Sequence, residues 1–170
     1  MGRLSTLFAL VLLVTAQGAQ AGDAKKKSSG AAKPAAMSVN AADIQWGDAP
    51  PAFPKGGQLA VIHGDPGKKG PFTLRFKMPD GYKIAPHWHT QDENLTVVSG
   101  TFLLHMGDSM DAHADKLEPG AFHFLPGKAH HSAEASGETV VQVHGNGPFD
   151  IHYLDPADDP SRKTAQAMPR

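Results

Sequence analysis

Residues 81–100 read "GYKIAPHWHTQDENLTVVSG". Two histidines, His87 and His89, stand one residue apart, Glu93 follows four residues later, and Gly81 and Gly100 close the two ends. Side chains at i and i+2 of an extended strand share a face, so His87 and His89 are expected to project together. Glu93, Leu95 and Val97 share a parity as well, which puts a carboxylate on the same side as two apolar residues. A carboxylate turned toward an apolar interior is costly unless it is hydrogen-bonded or bound to a metal. The stretch is therefore expected to supply part of a metal site, with a polar hairpin as the competing reading. It needs a further ligand from elsewhere in the chain.

Outward from this stretch the chain reads as strands. After residue 40, helical periodicity gives way to short runs rich in Val, Phe, Leu and Thr and punctuated by Gly and Pro: "QLAVIHG", "FTLRFKM", "LTVVSGTFLLHM", "AFHFLPG", "TVVQVHG" and "FDIHYL". Runs of this length broken by turn residues predict an all-β sandwich or barrel. Ser99-Gly100, lying between two apolar runs, predicts a hairpin turn. One short helical turn is expected in "SMDAHADK", residues 109–116. No long internal repeat is present, which predicts one barrel.

Written as spacing, the opening stretch is a glycine, five residues, H-x-H, three residues, a glutamate, six residues and a glycine. It resembles the first motif of the cupin family at every fixed position: Gly81, His87, His89, Glu93 and Gly100. The second cupin motif is matched by "GAFHFLPGKAHHSAEA", Gly120 to Ala135, where Gly120 and Pro126 fit and His131 falls at the motif's histidine. Two positions depart. Lys128 replaces a glycine, and Gly127 beside it is expected to supply the backbone freedom; Ala135 replaces an asparagine. His130 competes with His131, but the spacing from Pro126 favours His131.

The resemblance covers about residues 57–154. It implies an all-β, single-domain double-stranded β-helix (jelly roll), a cupin barrel with His87, His89, Glu93 and His131 holding one divalent transition metal ion inside. Fe, Mn, Zn, Cu and Ni all remain open as the metal. Independently of the resemblance, three imidazoles and a carboxylate are strong N and O donors for a first-row divalent ion. Four protein ligands leave one or two coordination positions open, which separates catalytic from structural sites.

The other histidines divide by context. His63, His113 and His152 lie near turns and strand ends and are expected at the surface. His105, His123 and His144 lie within β-runs and are candidates for the interior. Of these, His144 in "VQVHG" and His123 in "AFHFLP" are each candidates to support a ligand or to shuttle protons, and His144 is taken as the candidate catalytic residue. Trp88, between the two ligands, is expected on the opposite face from them, as a packing residue.

Composition narrows the partners. Of 16 Lys and Arg, one lies in residues 1–21 and four in residues 22–42, leaving 11; of 17 Asp and Glu only Asp23 lies there, leaving 16. The remaining net charge near −5 argues against a nucleic-acid footprint. The absence of cysteine excludes disulfides and thiolate ligands. "MGRLSTLFALVLLVTAQGAQA" carries Arg3, an apolar run from Leu7 to Val14 and Ala19-Gln20-Ala21, the pattern of a cleaved secretory leader. The expected organisation is a signal peptide at 1–21, a flexible Lys/Ala-rich linker at 22–42, the barrel domain at 43–157 and a C-terminal tail at 158–170. A periplasmic or secreted protein is expected, with no membrane insertion after leader removal. Lacking a twin-arginine pair, it is expected to take up its metal outside the cytoplasm, where affinity order favours copper and zinc over iron and manganese. The expected function is metal-dependent chemistry on a small molecule, of oxygenase type in preference to isomerase or lyase. The alternative is a non-catalytic periplasmic cupin that binds a metal or small ligand. A homodimer formed by joining sheets fits either reading.

Overall fold

The computed structural model describes residues 35–110 and 113–162. The expected leader and residues 22–34 of the expected linker lie outside the described residues, as does the tail beyond residue 162. A compact unit begins at Ser38. Its described residues form nine strands: β1 (Gly47–Asp48), β2 (Gln58–His63), β3 (Gly70–Met78), β4 (Lys83–Trp88), β5 (Glu93–Met106), β6 (Ala114–Leu117), β7 (Phe122–Leu125), β8 (His131–Gly147) and β9 (His152–Tyr153).

Two long strands organise the rest. β5 and β8 run antiparallel to each other along their lengths, from Asn94↔His144 to Met106↔His131. The later half of β8 also pairs with β3, and its first residues pair with β4. β5 pairs with β7 through its first residues and with β6 through its last. β2 and then β1 extend the sheet beyond β3, and β9 extends it beyond β4. Every pairing is antiparallel, and the curled sheet makes the jelly-roll cupin barrel that the motifs imply.

Ser99-Gly100 is not a hairpin turn. β5 continues through it, with register irregularities between Val97 and Ser99 and between Ser99 and Thr101. The buried residues of β5 explain why. Leu95 and Val97 face the core before the bend, and Phe102 and Leu104 face it afterwards, so the inward parity changes from odd to even. Side chains alternate strictly along a regular strand, so the switch requires an extra residue, which is what a bulge supplies. Gly100 makes the bend with φ +77°, and a Cβ there would lie 2.4 Å from the Glu138 carbonyl oxygen. The expected helical turn at 109–116 is likewise corrected. Ala114–Leu117 is strand β6, pairing with β5 from His105↔Ala114 to Phe102↔Leu117. A ladder against an existing long strand outweighs the weak helix propensity of so short a segment.

The core lies between the inner faces of these strands. On β3, Phe72, Leu74, Phe76 and Met78 are buried, while Arg75 and Lys77 alternate onto the other face. β8 contributes Ala133 and Ala135 from one half and Val141 and Val143 from the other. Arg75 bonds Gln142 at 3.1 Å, and Lys77 lies over the Trp46 ring at 4.5 Å, both away from the barrel interior.

Candidate metal centre

His87 lies near the end of β4 and pairs directly with His131, the first residue of β8. His89 follows two residues later, and Glu93 opens β5 opposite Leu125. The strand ends thus bring together all four residues that the motifs single out. All four are buried, none more than 6% exposed. The donor atoms of His87, His89 and His131 all lie within 4.8 Å of one another. Glu93 Oε2 stands 3.3 Å from His89 Nε2 and 3.6 Å from His131 Nε2.

Each imidazole is aimed by a backbone carbonyl. His87 Nδ1 donates to Ala85 O at 2.8 Å, His131 Nδ1 to Ala129 O at 3.0 Å, and His89 Nδ1 to Asp150 O. A carbonyl only accepts, so each Nδ1 carries the hydrogen and Nε2 is left as the inward donor atom. The ring contacts hold these directions: His87 is 4.1 Å from His131 and 4.9 Å from His89 between centroids, and Phe149 stacks on His89 at 4.4 Å.

The electrostatics suit a cation. Burial, with His131 and His89 nearby, holds the His87 imidazole well below its usual value of 6.5, and burial also lowers His131. Both are thereby neutral ligands at physiological pH. For Glu93 burial pushes upward, but the His89 imidazole outweighs it, with His131 and His123 adding, and the carboxyl is held below 4.5. Burial lowers His89, yet Glu93 and then Asp150 raise it on balance. Although His89 is within ion-pair distance, Glu93 Oε2 has no hydrogen-bond partner among the described residues. A buried carboxylate oxygen left without a donor is costly, and a metal ion among the three Nε2 atoms would satisfy it. The residues present therefore fit a divalent transition metal.

The remaining histidines separate as follows. His130 turns outward to Asp108 at 2.6 Å, which leaves the ligand position to His131. His63, His113 and His152 are exposed. His105 is buried, on the face of β5 away from Phe102 and Leu104. His144 alternates with the core residue Val143 and does not line the interior cavity, so the structure does not bring it to the site. His123 shares the inward side of β7 with Leu125, and its charge acts on Glu93 and His131. Trp88 lies outside the cavity lining and stacks on His152 at 4.1 Å. Lys128, not Gly127, takes the positive φ, at 67°. Gly127 is needed for a different reason: a Cβ there would come within 2.7 Å of the Thr90 carbonyl oxygen.

Two contributors escaped the sequence reading. Asp150 supplies the carbonyl that aims His89. Its carboxylate accepts from Thr90 N at 2.8 Å, Thr90 Oγ1 at 2.7 Å and His152 Nε2 at 3.0 Å. Burial opposes, but these bonds lower its pKa to about 2. Phe149, the stacking partner of His89, is its neighbour. Both lie about 60 residues from the H-x-H motif, and no local spacing signals them. The site opens into a cavity of about 340 Å³ inside the barrel.

A family model described as "Domain of unknown function (DUF4437)" matches residues 16–152. No curated protein matches the chain by sequence. Among solved structures, the polyketide cyclase RemF from Streptomyces resistomycificus superposes with a TM-score of 0.63 at 18% identity, covering 79% of this chain and 95% of that one. A proposed acetylacetone dioxygenase from Methylibium petroleiphilum PM1 gives 0.59 at 20% identity, covering 81% and 99%. An RmlC-like cupin from Shewanella frigidimarina NCIMB 400 gives 0.52 at 13% identity, covering 66% and 91%. At these identities the likeness establishes the cupin fold.

Proposed function

From a chain that belongs to the DUF4437 family and folds as a cupin barrel, we infer a metal-dependent enzyme acting on a small molecule by oxygenase-type chemistry. The observation that carries this is the buried Glu93 oxygen without a donor, facing His89 and His131 Nε2 beside His87. His87, His89, Glu93 and His131 would hold the ion. A divalent metal so held would supply a Lewis acid able to polarise a substrate oxygen and to support chemistry with dioxygen.

The chain's own part is to bind, orient and exclude water. Three backbone carbonyls fix the imidazole planes before any ligand arrives, so little reorganisation is needed on binding. The apolar walls keep solvent from the reacting end. Apart from the four ligands, Asp150 is the one acid or base on the described cavity lining, and its carboxylate is already engaged by Thr90 and His152. Isomerases and lyases that move protons need a free acid or base in the site. Oxidation of a substrate by dioxygen makes less demand of that kind, which supports the oxygenase reading and the likeness to a proposed acetylacetone dioxygenase.

The same scarcity favours the second reading, a cupin that binds a metal or small ligand without turnover. Export rests on residues 1–21, and it would put metal loading outside the cytoplasm. A homodimer is supported by Phe122 and Phe124 on the outer face of β7, 57% and 49% exposed. Elemental analysis of the exported protein, with His87→Ala in parallel and dioxygen consumption recorded, tests the proposal. One equivalent of metal, lost in the variant, is expected. Metal-free wild type would overturn it, and bound metal with no turnover on any substrate would leave the binding protein.

A further inference from the structure

The cavity behind the metal centre has an unusual charge distribution. Its described lining contains no Lys or Arg. The polar groups of the lining are the four clustered ligand residues and Asp150, whose carbonyl accepts from His89. The rest is apolar, including Phe53, Phe76, Phe102 and Phe149 with Leu74 and Leu104. Strand alternation is the cause. On β3 the parity that turns Leu74, Phe76 and Met78 inward turns Arg75 and Lys77 outward. A volume of about 340 Å³ is at the small end of the range for ligand sites, and it is bounded by residues that elsewhere would fill a core.

We propose that this cavity selects a small ligand with one oxygen-bearing polar head and an uncharged apolar body. The head lies toward His87, His89, Glu93 and His131, and the body lies among the phenylalanine and leucine side chains. Only the placement of the head rests on the metal reading above. A second anionic group on the body would be stripped of water among apolar side chains with no cation to replace it. Phosphorylated sugars and dicarboxylates are thereby excluded. Simple phenols, diketones and other oxygenated hydrocarbons are admitted.

The test is calorimetric titration of the wild-type protein with phenol, para-butylphenol and the same butylphenol carrying a terminal carboxylate. The butyl chain should tighten binding by about tenfold or more, through apolar burial, and the terminal carboxylate should abolish that gain. The double variant Phe122→Ser/Phe124→Ser, which alters an exposed apolar patch, should leave the ranking unchanged. Equal affinity for the two butyl probes, tighter binding of the carboxylated one, no binding of any probe, or loss of the ranking in the double variant would each overturn the proposal. Metal content measured on the same samples keeps the two readings apart. A metal-free protein that still ranks the probes as expected would sink the metal centre and uphold the apolar cavity.

Discussion

Ala133→Val asks whether the barrel interior is an open cavity or a packed core. Ala133 is 2% exposed, two residues along β8 from His131 on the same inward parity, and it lines the cavity. Its cross-strand neighbours are Ile84 on β4 and Leu104 on β5. Valine adds two carbons. At about 0.8 kcal/mol per buried methylene the gain is about 1.6 kcal/mol, provided the new methyls enter empty space and meet the opposite wall. For a domain of this size that raises Tm by roughly 5 °C. In a core already filled, the same two carbons would force neighbours off their rotamers and cost about 1–3 kcal/mol, lowering Tm instead. Thermal unfolding of metal-free wild type and variant, followed by circular dichroism, decides by sign. A rise with weaker para-butylphenol binding is expected. A fall in Tm refutes the cavity, and with it the apolar selectivity argued above.

The other predictions concern the site and the bend. His89→Ala should lose the bound metal and the stability that metal confers, about 2.7 kcal/mol at a hundredfold excess over Kd, whereas exposed His113→Ala should change neither, by elemental analysis and Tm. The metal-free protein should lose stability as pH falls below about 6.5, because His87 and His131 have folded values below that of the unfolded chain, which then binds more protons. The raised His89 works the other way, contributing stability that is lost as pH rises, so a higher Tm at about pH 5.5 than at about 7.5 would mean that its pairing with Glu93 dominates. Gly100→Ala should cost about 1–3 kcal/mol, combining left-handed strain with contact against the Glu138 carbonyl. Gly107→Ala, also at positive φ but with nothing within 4 Å, should cost less in the same denaturant titration.

The shared burial of His87, His89 and Glu93 was legible because it rests on the shortest-range rule that strands obey, whereas the four-residue set came from the resemblance to the cupin motifs. Two-residue spacing put His87 with His89, and Glu93 with Leu95 and Val97, on shared faces, and the folded strands keep both arrangements. His131 over His130 followed from spacing to Pro126, and the reason is now visible: His130 turns outward to Asp108 while His131 pairs with His87. What failed were three readings whose outcome is set by strand pairing or by a neighbouring core residue. The bend at Ser99-Gly100 looked like a hairpin because a bulge and a turn use the same residues, and only pairing with β8 on both sides distinguishes them. β6 looked helical because its ladder partner lies outside its own sequence. His144 looked available because alternation was not anchored to a neighbouring core residue such as Val143.

The bulge in β5 also links the fold to the chemistry. Without a parity switch between Val97 and Thr101, one half of β5 would turn its apolar residues to solvent. Either Glu93 with Leu95 and Val97 or Phe102 with Leu104 would leave the interior. With the switch, one strand supplies the carboxylate at its start and two cavity walls further on, while β8 repeats the plan with His131 at its start and Ala133, Val141 and Val143 beyond. Glu93 and His131 each open a strand that continues into the apolar walls; because β5 and β8 run antiparallel, the two residues stand at opposite ends of that ladder and meet, at 3.6 Å, through the curl of the sheet. A ligand with its head at His87, His89, Glu93 and His131 would have Phe102, Leu104 and Val143 beside its body, so one packing solution both gathers the polar cluster and shapes the apolar walls.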